Sequence, residues 1–307
     1  NVFSNNELNL FFNKYPDETY CCEAKIDGMS GNLTYKNGKL VVAATRGDGF
    51  VGENITENVL AISNIPKELT FEYKSKYSFD LIEVRGEFVI HKKDFEDINK
   101  KRIENNLEPF KNARNLVSGT MRGLNSKDVI ERCVKFYAYG TTSFKELDYL
   151  KRRKIIEGLK FDYVPTLIID KLEKVELIAQ SIKDVEKEYP FEIDGVVIKL
   201  NSSDLQTSLG YTSKDPKWAV ARKWNSEGII TELLDIDYQV GRTGVITPVA
   251  KLSPIDINGV TVSSATLHNF DEIKRLDLYK GCKVRVVRSG DVIPKIEGIY
   301  LDGSKPT

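Results

Sequence analysis

The texture of the chain changes near residue 229, and that change limits what it can fold into. Upstream, β-branched and aromatic runs alternate irregularly with amphipathic helical stretches. Downstream, residues 229–307 carry short strands, Gly-rich turns and one brief helical signal near 270–276. Irregular alternation predicts an α+β domain with antiparallel sheets over residues 1–228, and the second texture predicts a small all-β barrel over residues 229–307. With 307 residues, 41% of them hydrophobic, the chain can fill two cores of that kind. Its apolar runs, such as Val196-Val197-Ile198, fall far short of the roughly 20 residues of a membrane span, so the chain is read as soluble with no membrane partner.

Local signals place the elements. Leu33 and Tyr35 alternate into Asn37-Gly38 and out through Leu40 and Val42, the pattern of a hairpin closed by a type I′ turn. Lys25 then stands at the end of the strand that leads into this hairpin. Further strands are expected at 80–90 (DLIEVRGEFVI), 134–139 (VKFYAY) and 193–200 (IDGVVIKL). Leu172, Val175, Ile178, Ala179, Ile182 and Val185 recur at three and four residues and predict a helix over 172–185; Phe144, Leu147 and Leu150 predict another. The basic runs Lys100-Lys101-Arg102 and Lys151-Arg152-Arg153-Lys154 lie in helical stretches and are read as solvated faces.

Lys25 carries the first chemical signal. In "CCEAKIDG" it follows Glu23 by two residues and precedes Asp27-Gly28. A lysine nucleophile must be neutral, and at the ordinary pKa of about 10.4 only roughly one lysine in a thousand is neutral near pH 7.5. Burial or neighbouring cations must depress it. Lys199 in "DGVVIK" and Lys223 in "AVARKW" interrupt apolar strand-like segments, where a cation is costly without a task. Alone, K-x-D-G also fits a turn beside a surface lysine. The wider set turns the reading: two further lysines in strands, the carboxylates Glu83 and Glu87 of "EVRGE", and Arg46 and Arg114 together suit nucleotide phosphates.

The ordered runs "CCEAKIDG", "ATRGDGFVGENITENV", "IEVRGEFVI", "FKNARNLVSGTMRGL", "FYAYG", "EIDGVVIK", "WAVARKW", "VGRTGVITPVAKL", "SSATLHNFDEIKRLD" and "SGDVIPKI" span nearly the whole chain. In them the sequence resembles the NAD-dependent DNA ligases, a branch of the covalent nucleotidyltransferases. ATP-dependent ligases and capping enzymes share the K-x-D-G core and the two later lysines but not "VGRTGVITPVA", "ATLHN" or "GDVIP". The resemblance implies a nucleotidyltransferase domain of the ATP-grasp-like ligase type over 1–228 and an OB fold over 229–307. It further implies sealing of nicks in double-stranded DNA through lysyl-AMP and DNA-adenylate, with NAD+ as AMP donor and Mg²⁺ or Mn²⁺ as metal.

The resemblance also assigns residues. Lys25 would take AMP as a phosphoramidate, and Glu23 would approach the adenine amino group. Asp27 and Glu87 would handle the ribose and hold the metal; Tyr139 would lie near the base. Lys199 and Lys223 would neutralise the α-phosphate and depress the Lys25 pKa. Arg46, Arg114 and Arg122 would contact phosphate or sugar, Arg114 and Arg122 on the DNA. In the barrel, Arg242, Arg288, Val292 and Ile293 would meet DNA around the nick; Lys283 and Arg285 are added as DNA contacts because they share one strand face. The chain has 45 basic and 45 acidic residues, and 229–307 is likewise balanced, so phosphate tracking must be local, as with Lys283 and Arg285 on one strand face. Arg222, Trp224, Val117 and Ser118 depart from residues common in the family and bear on the shape of the adenine pocket.

Four cysteines without a C-x-x-C pair are read as small buried side chains in a reducing compartment, the cytosol of a bacterium or of a host cell. His91 and His268 form no metal pair. The family's domain for the nicotinamide mononucleotide half of NAD+, and its later zinc finger and helix-hairpin-helix repeats, are expected in the same or a separate chain, since this sequence begins at Asn1 rather than Met. Without the first of these, the chain is expected to react poorly with NAD+. Two rival readings are an ATP-using ligase or capping enzyme and a noncatalytic nucleic-acid-binding module.

Overall fold

Asn37 and Gly38 both take left-handed backbone angles, φ 52° and 83°, as a type I′ turn requires, and the strands on either side form the expected hairpin. The computed structural model describes residues 5–47, 51–70, 80–169, 173–212, 215–224, 228–240, 244–257, 260–289 and 293–300. The chain divides into two units, Asn1–Trp224 and Asn225–Thr307. The first contains α1 (Asn5–Phe12), β1 (Tyr20–Ile26), β2 (Met29–Lys36), β3 (Lys39–Thr45), α2 (Thr56–Leu60), β4 (Leu81–Val89), α3 (Lys92–Glu104), α4 (Ala113–Arg122), α5 (Lys127–Glu131), β5 (Lys135–Thr141), α6 (Tyr149–Gly158), β6 (Leu167–Ile169), α7 (Glu173–Asp184), β7 (Ile193–Leu200), α8 (Ser203–Leu209) and β8 (Ala219–Lys223). The second contains β9 (Ile229–Val240), β10 (Ile246–Ile257), β11 (Val260–Thr266), α9 (Phe270–Arg275), β12 (Lys283–Ser289) and β13 (Ile293–Ile299).

Two antiparallel sheets build the first unit, in strand orders β6-β1-β7-β8 and β3-β2-β4-β5. Each has its own core. Leu33, Tyr35, Val84, Phe88 and Phe136 fill one, with Val59 of α2 and Met121 of α4 packed on them. Tyr20, Cys22, Val196, Ile198 and Leu200 fill the other, covered by Phe12 of α1 and Ala179 and Ile182 of α7. Each such fully buried aliphatic side chain stabilises the fold by about 1.5–3 kcal/mol. Gly28 lets the second sheet come close to the end of β1: a Cβ there would stand 2.2 Å from the Phe88 carbonyl oxygen.

The second unit is a five-stranded antiparallel sheet, β11-β10-β9-β12-β13, whose edge strands β11 and β13 also touch, which curls it toward a barrel around Leu233, Ala250, Val284 and Val286. Among the described residues no helix is long and apolar enough to cross a membrane.

Three expectations change. The helix read from Phe144, Leu147 and Leu150 begins only at Tyr149, because Phe144 adopts φ 59°, a left-handed angle no helix interior admits. Lys151 and Lys154 are exposed, but Arg152 and Arg153 of the same run are 6% and 1% exposed, so that run is not a solvated face. Cys133 is exposed rather than buried; at φ 51° it ends α5 in the left-handed conformation typical of a residue just past a helix.

Candidate active site

Strand β1 presents its two faces to different surroundings. Tyr20, Cys22, Ala24 and Ile26 enter the apolar core, so alternation puts Cys21, Glu23 and Lys25 on the other face. Register decides what they meet. On β7, Lys199 lies opposite Cys21, Val197 opposite Glu23 and Gly195 opposite Lys25, and β8 puts Lys223 opposite Gly195 in turn. Lys25, Gly195 and Lys223 form one row across three strands.

Asp194 sits in the bulge that breaks this register: Ile26 pairs with Ile193 and Lys25 with Gly195, which leaves one residue between them. A bulge re-aims the extra side chain. Here Lys25 Nζ donates to Asp194 Oδ1 at 2.8 Å and Lys223 Nζ lies 2.7 Å from Oδ2. One carboxylate thus bridges two lysine nitrogens.

Asp27 follows directly on β1 and accepts from Arg114 Nη1 at 2.6 Å. Arg114 lies in the first turn of α4, which Asn112 caps by accepting from the Asn115 amide at 3.1 Å. Burial works against the Arg114 charge, yet Asp27, Glu87 and Asp194 outweigh it and raise its pKa. Asp27 is the carboxylate in contact with the guanidinium. Arg46 pairs with Asp215 at 2.8 Å and Arg122 with Glu53 at 2.8 Å, all four exposed.

Glu87 of β4 is buried, and Ser30 Oγ donates to its Oε2 at 2.8 Å. Burial pushes its carboxyl up to about 7, although Ser30, Lys25 and Arg114 favour the charged form. The folded state thus holds a proton that the unfolded chain releases near the ordinary value of 4.5. Stability should fall as pH rises from about 4.5 through about 7 and then level off. In metal-free buffer Glu87→Gln should remove up to about 3 kcal/mol of that slope, read as Tm against pH; a slope like that of the wild type would assign it to other groups.

Glu23 lies deeper, 1% exposed. Its Oε2 accepts from Lys199 Nζ at 2.7 Å, its Oε1 from Thr166 Oγ1 at 2.7 Å, and Tyr149 Oη stands 2.9 Å from Oε1. Arg153 Nε approaches Oε1 to 3.4 Å. Burial alone would raise the Glu23 carboxyl, but Lys199 and Arg153 outweigh it and hold it below its ordinary value. Lys199 Nζ also lies 5.4 Å from the ring centre of half-buried Tyr139, whose hydroxyl burial pushes up to about 12.

This placement corrects one expectation. Lys199 does not stand beside Lys25: its partner on β1 is Cys21, four residues from Lys25 and hence about 13 Å along the strand. Only Lys223 shares a carboxylate with Lys25. In the second unit Lys283 is exposed on β12, and half-buried Arg285 on the same face lies 3.6 Å from Glu297. Arg288 is also on β12 and Ile293 begins β13; Arg242 and Val292 lie outside the described residues.

Sequence reasoning missed Asp194, Arg153, Tyr149, Thr166 and Ser30. Asp194 left a signal: Ile193-Asp194-Gly195 repeats Ile26-Asp27-Gly28, and the two segments meet at the β1–β7 bulge. The other four left none: Arg153, Tyr149 and Thr166 come from elements distant in sequence, and Ser30, on the next strand, meets Glu87 only through the β2–β4 register.

Known proteins are similar to this chain over both units. Residues 1–227 match the family model for the NAD-dependent DNA ligase adenylation domain, and residues 230–306 that for the NAD-dependent DNA ligase OB-fold domain. A DNA ligase of Sulfurovum sp. is 42% identical over 98% of this chain and 46% of its own length. One from Thermodesulfovibrio yellowstonii is 44% identical over 92% of this chain and 42% of its own. The chain therefore spans about half the length of the curated relatives it matches. A solved structure of the Lig E DNA ligases superposes with a TM-score of 0.52 at 14% identity, covering 92% of each chain, a likeness of fold.

Proposed function

The chain belongs to the NAD-dependent DNA ligase family, and from that premise we propose that it holds the AMP-transferring and part of the DNA-binding machinery of a nick-sealing enzyme that uses NAD+ as AMP donor. The observation that carries this reading is the row Lys25-Gly195-Lys223 bridged by Asp194. It offers a nucleophilic nitrogen, a proton acceptor in contact with it, and a second cation within reach of the same point.

In the first step the Lys25 nitrogen bonds to the α-phosphorus, the bond to the nicotinamide mononucleotide oxygen breaks, and the Lys25 proton has Asp194 as its nearest acceptor. Lys223 faces the phosphate oxygens and balances their charge. AMP then passes from Lys25 to the 5′-phosphate of the nick. Attack by the 3′-hydroxyl expels AMP and closes the strand. Glu23 would accept from the 6-amino group of adenine, and Lys199, which also donates to Tyr149 Oη at 2.6 Å and to the Tyr139 carbonyl at 3.3 Å, would turn the weaker of these hydrogens to N1, with Tyr139 as the neighbouring ring.

The metal of this reading is Mg²⁺, with Asp27 and Glu87 as its carboxylates. Asp27 acts electrostatically on Glu87, and among the described residues no cluster of three or more His, Cys, Asp or Glu forms a metal cage; Mg²⁺ needs only one or two carboxylates when waters and phosphates supply the rest. Asp27 and Glu87 would hold it, and bound there it would neutralise charge on the phosphate under attack. The test is incubation with adenine-labelled NAD+ or ATP, with no nicked DNA to discharge the lysyl-AMP and with the family's nicotinamide mononucleotide-binding domain added, since NAD+ is expected to react poorly without it. Label on the protein from NAD+ and not from ATP supports the reading, and label from ATP alone overturns the choice of donor.

For the second unit, exposed Lys283 is read as a phosphate contact. Lys283→Ala should weaken nick binding and flatten its salt dependence by about one unit of slope. Parallel salt titrations of variant and wild type would remove Lys283 from the interface.

A further inference from the structure

Arg153 has no part in the steps above, yet it is among the largest fully buried side chains of the described residues. It is fixed from several sides: Nη1 donates to the Ala138 carbonyl at 2.9 Å, Nη2 to the Val164 carbonyl at 2.8 Å and Nε to Thr166 Oγ1 at 3.2 Å. A buried guanidinium is costly unless its charge is matched. The match is Glu23, 3.4 Å away and already paired with Lys199. One carboxylate faces two rigidly held cations.

The acceptor positions of Glu23 can be counted. Oε1 is surrounded by Thr166, Tyr149 and Arg153, whereas Oε2 meets Lys199. Since a carboxylate oxygen has about two acceptor positions, a place remains on Oε2 next to the Lys199 ammonium. An ionised Glu23 can only accept there; a protonated one could also donate. Adenine carries a 6-amino donor and an N1 acceptor, while a 6-oxopurine carries the reverse, an oxygen acceptor and an N1–H donor.

We propose that Arg153 is a specificity-determining positioning residue: by anchoring Oε1 and fixing Glu23 as an ionised acceptor, it makes the site select a 6-aminopurine nucleotide over a 6-oxopurine one. The inference rests on the reading that Glu23 and Lys199 face the base. Arg153 acts from behind Glu23 and touches no nucleotide. Its effect should therefore fall on the choice of base and not on ribose or phosphate binding.

Calorimetric titration with AMP and IMP, which share ribose and phosphate, tests this on the whole chain. Wild type is expected to prefer AMP by about 100-fold or more, since a polar site rejects an analogue that leaves its groups unpaired. Arg153→Met should bring the ratio to within about 5-fold, the loss falling on AMP while IMP changes by less than about 2-fold. Arg153→Gln, which can still donate to a backbone carbonyl, should do the same and decides the matter if the methionine variant does not fold. A preserved AMP preference in a folded variant, or an equal loss of both nucleotides, overturns the proposal and leaves Arg153 a purely structural residue. Equal binding of AMP and IMP by wild type would sink the base-facing role of Glu23 and this inference with it; binding of neither would sink the adenylate site itself.

Discussion

Lys25→Ala should leave the protein with no covalent AMP, whether the label is supplied as NAD+ or in reverse from an adenylated nick. A nitrogen that forms the P–N bond has no substitute of lower efficiency, so the loss should exceed about 10³-fold and be limited by detection. The fold should survive. The Lys25 side chain is 21% exposed, and Asp194 keeps Lys223 as a partner at 2.7 Å, so no carboxylate is left without a counter-charge and the cost in stability should stay near about 1 kcal/mol. The adenylated-nick arm matters because it delivers AMP to the site independently of the nicotinamide half. Covalent AMP on the alanine variant from either donor would put the nucleophile elsewhere, and Lys223, which shares Asp194, would be examined next.

How much of this was legible in the sequence depends on the range over which each signal acts. Local signals read well: the Asn37-Gly38 turn, strand 193–200 and helix 172–185 lie where their patterns put them, within a residue or two. The helix over Phe144 failed because apolar spacing cannot reveal a left-handed residue. Arg153 failed for the opposite reason. Its run is flanked by the exposed lysines Lys151 and Lys154, and its reason for being buried, Glu23, is 130 residues away in the chain. Lys199 was legible as a buried lysine but not as the partner of Glu23, because only the β1–β7 register decides between Glu23 and Lys25. Pairing chemistry to residue type succeeded; pairing residue to residue required the sheet.

Gly195→Ala should damage fold and activity together, through backbone alone. Gly195 adopts φ +155°, and a Cβ there would lie 2.1 Å from the Arg222 carbonyl oxygen and 2.8 Å from Lys223 Cα. Both are main-chain atoms of β8, so no rotamer relieves the contact and the strand itself must retreat. β8 is an edge strand beside β7, which lets it retreat without unfolding the sheet, at the expense of ladder bonds and of about 3 kcal/mol. Lys223 moves with it. Its 2.7 Å contact with Asp194 should open, and a displacement of about 1 Å at a reacting centre is enough to slow transfer about 100-fold. Gly119 of α4 is the control, because a Cβ there meets nothing within 4 Å; Gly119→Ala should leave AMP transfer unchanged and stabilise the helix by about 0.5–1 kcal/mol. Thermal melts and the rate of AMP transfer from an adenylated nick to Lys25 measure both effects. A Gly195→Ala protein that melts and reacts like wild type would show that β7 and β8 do not approach as closely as the row of Lys25, Gly195 and Lys223 demands.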